Sequence, residues 1–225
     1  MVSRPSNSDS LLDPLEEIRF KHKTFPLSVA LSQSSHFNLI ETETLLLMYY
    51  KLTQGGTMDR KRFRAVLHAA LDMTSDTLMD RIFTVVDRSR RGNITMESWI
   101  GALSLFLRGT QEEKIKYAFS VYDVHHDGMI TKDIMFVLMN KSLIRQSQDE
   151  DADEGIRDLV EMMLKRMDLD RDGRISFNDF RNSCLASPLL LEALGDCLPS
   201  KKAVQAFLTT FDPKTGVLRT CTGKE

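Results

Sequence analysis

Four twelve-residue breaks interrupt an otherwise helical pattern, and their spacing limits the fold more than any other feature of the chain. They are KLTQGGTMDRKR (51–62), DRSRRGNITMES (87–98), DVHHDGMITKDI (123–134) and DLDRDGRISFND (168–179). Their sixth positions hold Gly56, Gly92, Gly128 and Gly173, in steps of 36, 36 and 45 residues. A near-constant period of that size marks a repeated supersecondary unit. The extra length of the last step falls at RQSQDEDADEG (145–155), an acidic, breaker-rich linker.

The flanks repeat with the breaks. Ahead of the second break come Met79, Ile82, Phe83 and Val86; ahead of the third, Ile115, Ala118, Phe119 and Tyr122; ahead of the fourth, Val160, Met163, Leu164 and Met167. That spacing places each set on one helical face. The first unit complies in part, with Leu46, Leu47 and Tyr50 but Glu43 at the outermost position. Matching faces follow the breaks, from Phe63, Trp99 and Met135, and fade after the fourth at Ser183 and Ser187. Helix, twelve-residue loop and helix, with a turning glycine sixth and an apolar eighth residue (Met58, Ile94, Ile130, Ile175), is the EF-hand pattern. The expected fold is all-α, with four such units in two pairs, one with two and three with four, and an additional C-terminal helical segment. The boundaries read 1–35 for a loosely ordered N-terminal arm with a short helix around LLDPLEEIRF, 36–108 and 109–187 for the two pairs, and 188–225 for the extension and tail.

Calcium takes six to eight oxygens, from loop positions 1, 3, 5, 7, 9 and 12. The fourth loop meets that demand. Asp168, Asp170 and Asp172 offer carboxylates, Arg174 its backbone carbonyl and Ser176 a hydroxyl or a water bridge, and Asp179 closes the loop. Aspartate at position 12 is one methylene shorter than glutamate, which weakens calcium and favours magnesium at the same site. The third loop keeps Asp123, Asp127 and Thr131, but His125 stands third and Ile134 twelfth. Asp123 and Asp127 therefore make a doubtful second site, a decayed loop with the shape of a binding one. Paired histidines without a third soft ligand do not make a zinc site. The second loop has Arg91 fifth and Ser98 twelfth, and the first opens with Lys51 and closes with Arg62, so both are expected to be structural.

Composition narrows the function classes. With 30 basic against 32 acidic residues, the chain has no general case for nucleic-acid affinity. No apolar run is long enough for a bilayer, and neither a signal-peptide core nor a glycine for myristoylation opens the sequence. Cys184, Cys197 and Cys221 lack zinc spacing and suit reduced thiols. A soluble, intracellular protein without a membrane anchor is expected. Phosphate loops, HExxH, GxSxG and CxxC are all absent, so no catalytic residue is assigned and no enzyme is expected. Met135, Met139, Met162, Met163 and Met167 suit either an adaptable groove or plain core packing. The segment SPLLLEALGDCLPSKKAVQAFL suits one or two helices that fill a groove in cis.

The stretches IGALSLFLRGTQEEKIKYAFSVYDVHHDG, DEGIRDLVEMMLKRMDLDRDGRISFNDF and LLLEALGDCLP resemble the calaxin family, EF-hand proteins of cilia and sperm flagella. The likeness covers residues 36 to 200, linkers included, and omits the N-terminal arm. It implies an architecture similar to the neuronal calcium sensors. It also implies a calcium sensor associated with axonemal outer-arm dynein, its docking complex and the microtubule doublet. Family ligand positions transfer intact only to the fourth loop. Two alternatives stay open: a constitutive structural axonemal subunit, or a sensor outside cilia acting on a kinase, phosphatase or channel.

Overall fold

The structure, a computed structural model, describes residues 13–143 and 150–210. Helix α1 (Pro14–Ser34) folds back along α2 (Leu39–Thr53), and strand β1 (Met58–Asp59) leads into α3 (Arg60–Leu71). The second unit is α4 (Asp76–Val86), β2 (Asn93–Ile94) and α5 (Met96–Arg108). The third is α6 (Gln111–Tyr122), β3 (Met129–Thr131) and α7 (Lys132–Leu143); the fourth is α8 (Glu150–Met167), β4 (Arg174–Ser176) and α9 (Phe177–Ala186). Helices α10 (Leu189–Ala193) and α11 (Lys201–Thr210) complete the all-α, EF-hand fold. Among the described residues, none of the helices is long and apolar enough to cross a membrane.

The eighth loop residues do the pairing. Antiparallel β1 and β2 set Met58 opposite Ile94, and β3 and β4 set Ile130 opposite Ile175. All four side chains are buried. The flanking faces of α4, α6 and α8 are buried as their periodicity requires, with Leu164 only partly covered. Four of the five methionines noted above are core residues; Met162 is 58% exposed, so it belongs to no groove in this structure.

Helix α2 departs from its sequence reading. Leu46 and Leu47 are buried as read, but the face extends one residue ahead of the other hands, to Thr42, Leu45 and Tyr49, with Glu41 and Thr53 also buried and Tyr50 only partly covered. The Tyr49 hydroxyl donates to the Ile94 carbonyl at 2.8 Å and accepts the Met58 N–H at 3.3 Å, reaching across the strand pair. Tyr50 turns instead toward α1, where its ring lies 4.4 Å from Phe20.

The N-terminal arm is not loosely ordered from residue 14 onward, because α1 spans 21 residues. Pro14 occupies the first helical turn, where no N–H is needed, and Asp13 caps it. Pro26 removes one internal hydrogen bond. Packing on α2 offsets that loss: Phe20 and Ser28 are buried, and Leu27 and Leu31 pack against the core. Tyr50 donates to Glu16 at 2.6 Å, and Lys51 pairs with Glu17 at 3.5 Å. Of the acidic linker 145–155, the part from Glu150 is the first turns of α8, and 145–149 lies outside the described residues.

The extension ties the two pairs together. Ala203 and Phe207 of α11 are buried, and this helix packs against α3 and α5 of the N-terminal pair. The Tyr122 hydroxyl, on α6, donates to the Leu194 carbonyl just past α10. Arg81 of α4 donates to the carbonyls of Val121 (3.1 Å) and Asp123 (3.4 Å), across the boundary between pairs. Cys184 and Cys197 are buried, and that burial pushes both thiols up to about 12, so they stay protonated and inert. Cys221 lies outside the described residues.

Candidate metal centre

The second, third and fourth loops share one backbone fold. In each, the fourth residue (Arg90, His126, Arg171) and the sixth (Gly92, Gly128, Gly173) have positive φ. In each, the N–H of that glycine donates to the carboxylate at position 1: 2.7 Å to Asp87, 3.1 Å to Asp123 and 2.9 Å to Asp168. A Cβ on any of these three glycines would meet nothing within 4 Å, so the turn, not space, demands glycine. The first loop differs. There α2 runs on to Thr53, and the left-handed residues are Gln54 and Gly55.

Only the fourth loop gathers acids. Asp168, Asp170 and Asp172 present oxygens within 4.8 Å of one another, and among the described residues no other three acid, histidine or cysteine side chains do so. Backbone N–H groups hold the three in place: Asp172 to Asp168 (3.2 Å) and to Asp170 (3.3 Å), and Arg174 to Asp172 (2.7 Å). The Asp172 N–H pulls the Asp170 carboxyl down. Desolvation and the neighbouring charges of Asp172 and Asp179 outweigh it and hold Asp170 above its ordinary value. Crowded hard oxygens of one sign fit a divalent ion such as calcium or magnesium. Arg174 lies in β4, opposite Thr131, where its carbonyl is the position-7 oxygen.

Asp179 stands outside the trio. Its carboxylate accepts the Ser176 hydroxyl at 2.6 Å and the Ser176 N–H at 3.1 Å, while the Asp179 N–H donates back to Ser176 Oγ at 3.2 Å. This reciprocal cap starts α9. The sequence marks the residue as a loop-closing ligand; the geometry shows it also as a helix cap.

The other loops are closed from within. Asp123 is buried, with Arg81 beside it, and Asp127 accepts the Met129 N–H at 3.1 Å. Ile134 packs against the core, and His125 and His126 are exposed. Burial pushes the Asp87 carboxyl up. Hydrogen bonds from Ser89 and from the N–H groups of Gly92, Arg91 and Arg90 outweigh that and hold it below its usual range. In the first loop Lys51 is tied to Glu17, and Arg62 donates to the Thr57 carbonyl at 3.2 Å. Arg81 lies 42 residues before Asp123, too far for loop spacing to reveal it.

Comparison with known proteins agrees with this frame. The family profile described as an EF-hand domain pair matches residues 112–185, the third and fourth units. Calaxin of Danio rerio is 46% identical over 183 residues, covering 78% of this chain and 87% of that protein. This chain belongs to the calaxin family. Calaxin of Homo sapiens is 45% identical over 76% of this chain and 85% of that protein. A more distant relative is a calcineurin subunit of Schizosaccharomyces pombe, 32% identical over 68% of this chain and 84% of that protein. As a member of the calaxin family with an EF-hand pair, the chain is a calcium binder, and these relatives point to a non-enzymatic calcium sensor.

Proposed function

We propose that this protein is a calcium-responsive adaptor on axonemal outer-arm dynein and its docking complex, with the fourth loop as its working metal site. The observation that carries the metal site is the convergence of Asp168, Asp170 and Asp172. Arg174 adds its carbonyl, and Asp179 is the remaining ligand. The axonemal setting is supported by the calaxin identities.

Both bonds from Ser176 fall on one oxygen of Asp179, Oδ2, which leaves Oδ1 as the oxygen to turn toward an ion. A metal that draws this carboxylate in moves the start of α9, the motion by which sensor hands open. Helix α9 packs against α6 and α10, and α11 reaches the N-terminal pair, so the extension is where such a motion is felt.

A constitutive structural subunit is the second reading. Lys51, Arg62, Arg91 and Ile134 favour it, because they stand where ligand oxygens would and leave three of four loops without a full donor set. A sensor outside cilia draws support from the likeness to a calcineurin subunit.

Calorimetric titration with calcium, with and without millimolar magnesium, separates the first two. One site, abolished by Asp168→Ala and not masked by magnesium, is the expected result. A site surviving Asp168→Ala would assign binding to Asp123 and Asp127 instead. Silence toward calcium, or a site filled by magnesium throughout, would leave the structural subunit. Expression outside ciliated and sperm cells would favour the third reading.

A further inference from the structure

Helix α1 has two apolar faces. One, through Phe20, Leu27 and Leu31, lies on α2 and the core behind it. On the opposite side Leu15, Ile18 and Phe25 are 60%, 63% and 49% exposed, with exposed His22 between them. Positions 15, 18, 22 and 25 alternate steps of three and four, the seam of a helix built to lie along another helix. Large apolar side chains scattered singly on a surface need no account, whereas three in one register do. Arg19 and Lys21, both exposed, stand on either side of the seam, where coiled-coil partners exchange ion pairs. Lys21 is held from behind by Glu17 at 2.8 Å, and Arg19 has no ionic partner among the described residues.

We propose that the outer face of α1 docks an α-helix of another protein, one whose own apolar heptad seam is flanked by glutamate or aspartate. The flanking charge chooses the occupant. An antiparallel second copy of α1 would set Arg19 and Lys21 against the same cations, and a parallel copy would set Lys21 against Pro26 and Arg19 against Pro14, so neither gives these cations an acidic partner. A membrane surface is the poorer fit, because the seam is narrow and His22 interrupts it, whereas interfacial helices present a broad apolar face. The docking face is also independent of calcium. It is clamped through Lys51 and Tyr50 to the pair whose loops hold no carboxylate cluster, so it stands or falls separately from the calcium-responsive reading.

The probe is a labelled synthetic helix of about four heptads, leucine at a and d and glutamate at e and g. Its lysine-flanked twin is the control. Anisotropy titration against the full chain should show binding of the glutamate peptide only, equal in calcium and in chelator. Ile18→Asp and Phe25→Asp should each weaken it by about tenfold or more, with circular dichroism unchanged. Arg19→Glu should shift preference toward the lysine peptide, a swap that misfolding cannot imitate. No binding, or binding indifferent to Ile18 and Phe25, would overturn the proposal. So would an affinity that requires calcium. Concentration-dependent dimers lost in Ile18→Asp would assign the face to a second copy. Ile18-dependent binding to phosphatidylserine vesicles without peptide binding would assign it to a membrane.

Discussion

Across the N-terminal pair Met58 faces Ile94, and across the C-terminal pair Ile130 faces Ile175, in the same antiparallel register. Three of the four loops turn through the same two left-handed residues. Yet the N-terminal loops set lysine or arginine at ligand positions, at Lys51, Arg62 and Arg91, whereas the fourth loop gathers three carboxylates at its first, third and fifth positions. The frame of a hand is thus set by its strand pair, its turn and its apolar faces. Ligand oxygens are an addition to that frame, and they can be lost from one pair without collapsing it.

The sharpest break in this comparison is a charge placed in the frame itself. Ile175 is fully buried in β4. Ile175→Asp should destabilise the C-terminal pair by about 4 kcal/mol or more, since an unpaired carboxylate has no partner there. Asp168→Ala should leave the calcium-free fold intact. Urea unfolding followed by circular dichroism in chelator tests both. If Asp168→Ala unfolded the pair and Ile175→Asp did not, ligands rather than the frame would hold it.

Two carboxyls, one in each pair, should also answer acid in opposite senses. Glu41 is buried, and both its oxygens take the Arg108 guanidinium, at 2.7 and 2.8 Å. The Arg108 hydrogen bonds hold its carboxyl below the ordinary value. A carboxyl depressed by folding stabilises the fold above its unfolded pKa, and the gain is lost as pH falls through the folded value. Glu41→Gln should therefore cost roughly 2 kcal/mol at pH 7, and little once acid has protonated the native residue. Trp99, the single tryptophan, is buried in this pair and donates to the Leu45 carbonyl at 3.1 Å, so its fluorescence is the readout. Asp170 is shifted upward, so its charge opposes folding and mild acid relieves it. Falling pH should thus remove the stabilisation at Glu41 while it relieves Asp170. The same change with pH in the effects of Glu41→Gln and Asp170→Asn, in chelator, would refute the contrast.

The extension joins the two regions, and removing it is a milder test. Deletion of 189–208 uncovers the surface on α3 and α5 where Phe207 and Ala203 are buried. An apolar fluorescent dye should brighten severalfold on the truncated chain, on the scale of one exposed core patch. Unchanged dye binding would mean that α11 covers nothing.

What the sequence made legible was whatever repeats at short range. The period of the glycines, the faces around Ile82, Phe119 and Met163 and the pairing of eighth residues all follow from periodicity. So did the acids of the fourth loop. Features that depend on distant partners stayed hidden. The sequence showed only a short helix around LLDPLEEIRF; α1 continues through Pro26 to Ser34 where it packs on Tyr50 and the core. The shifted face of α2 follows from Tyr49 reaching Ile94. Arg81 beside Asp123 joins two units, and Asp179 caps a helix through a neighbour that looked like a ligand.

The smallest effect is expected where the first loop departs most from a metal site. Lys51 takes the place of its first ligand and pairs with Glu17, which also holds Lys21 at 2.8 Å. If that ion pair substituted for a metal, Glu17→Gln would loosen the whole N-terminal pair. All three side chains are partly exposed, however, and such pairs are screened by salt and contribute about 0–1 kcal/mol. Phe20, by contrast, is buried against Tyr50, and truncating it should cost about 3 kcal/mol. Urea midpoints read from Trp99 should therefore barely move in Glu17→Gln, and the small shift should vanish in about 1 M salt. Phe20→Ala should move them strongly in either buffer. A large, salt-resistant effect of Glu17→Gln would show that the first loop does rest on a charge in place of an ion.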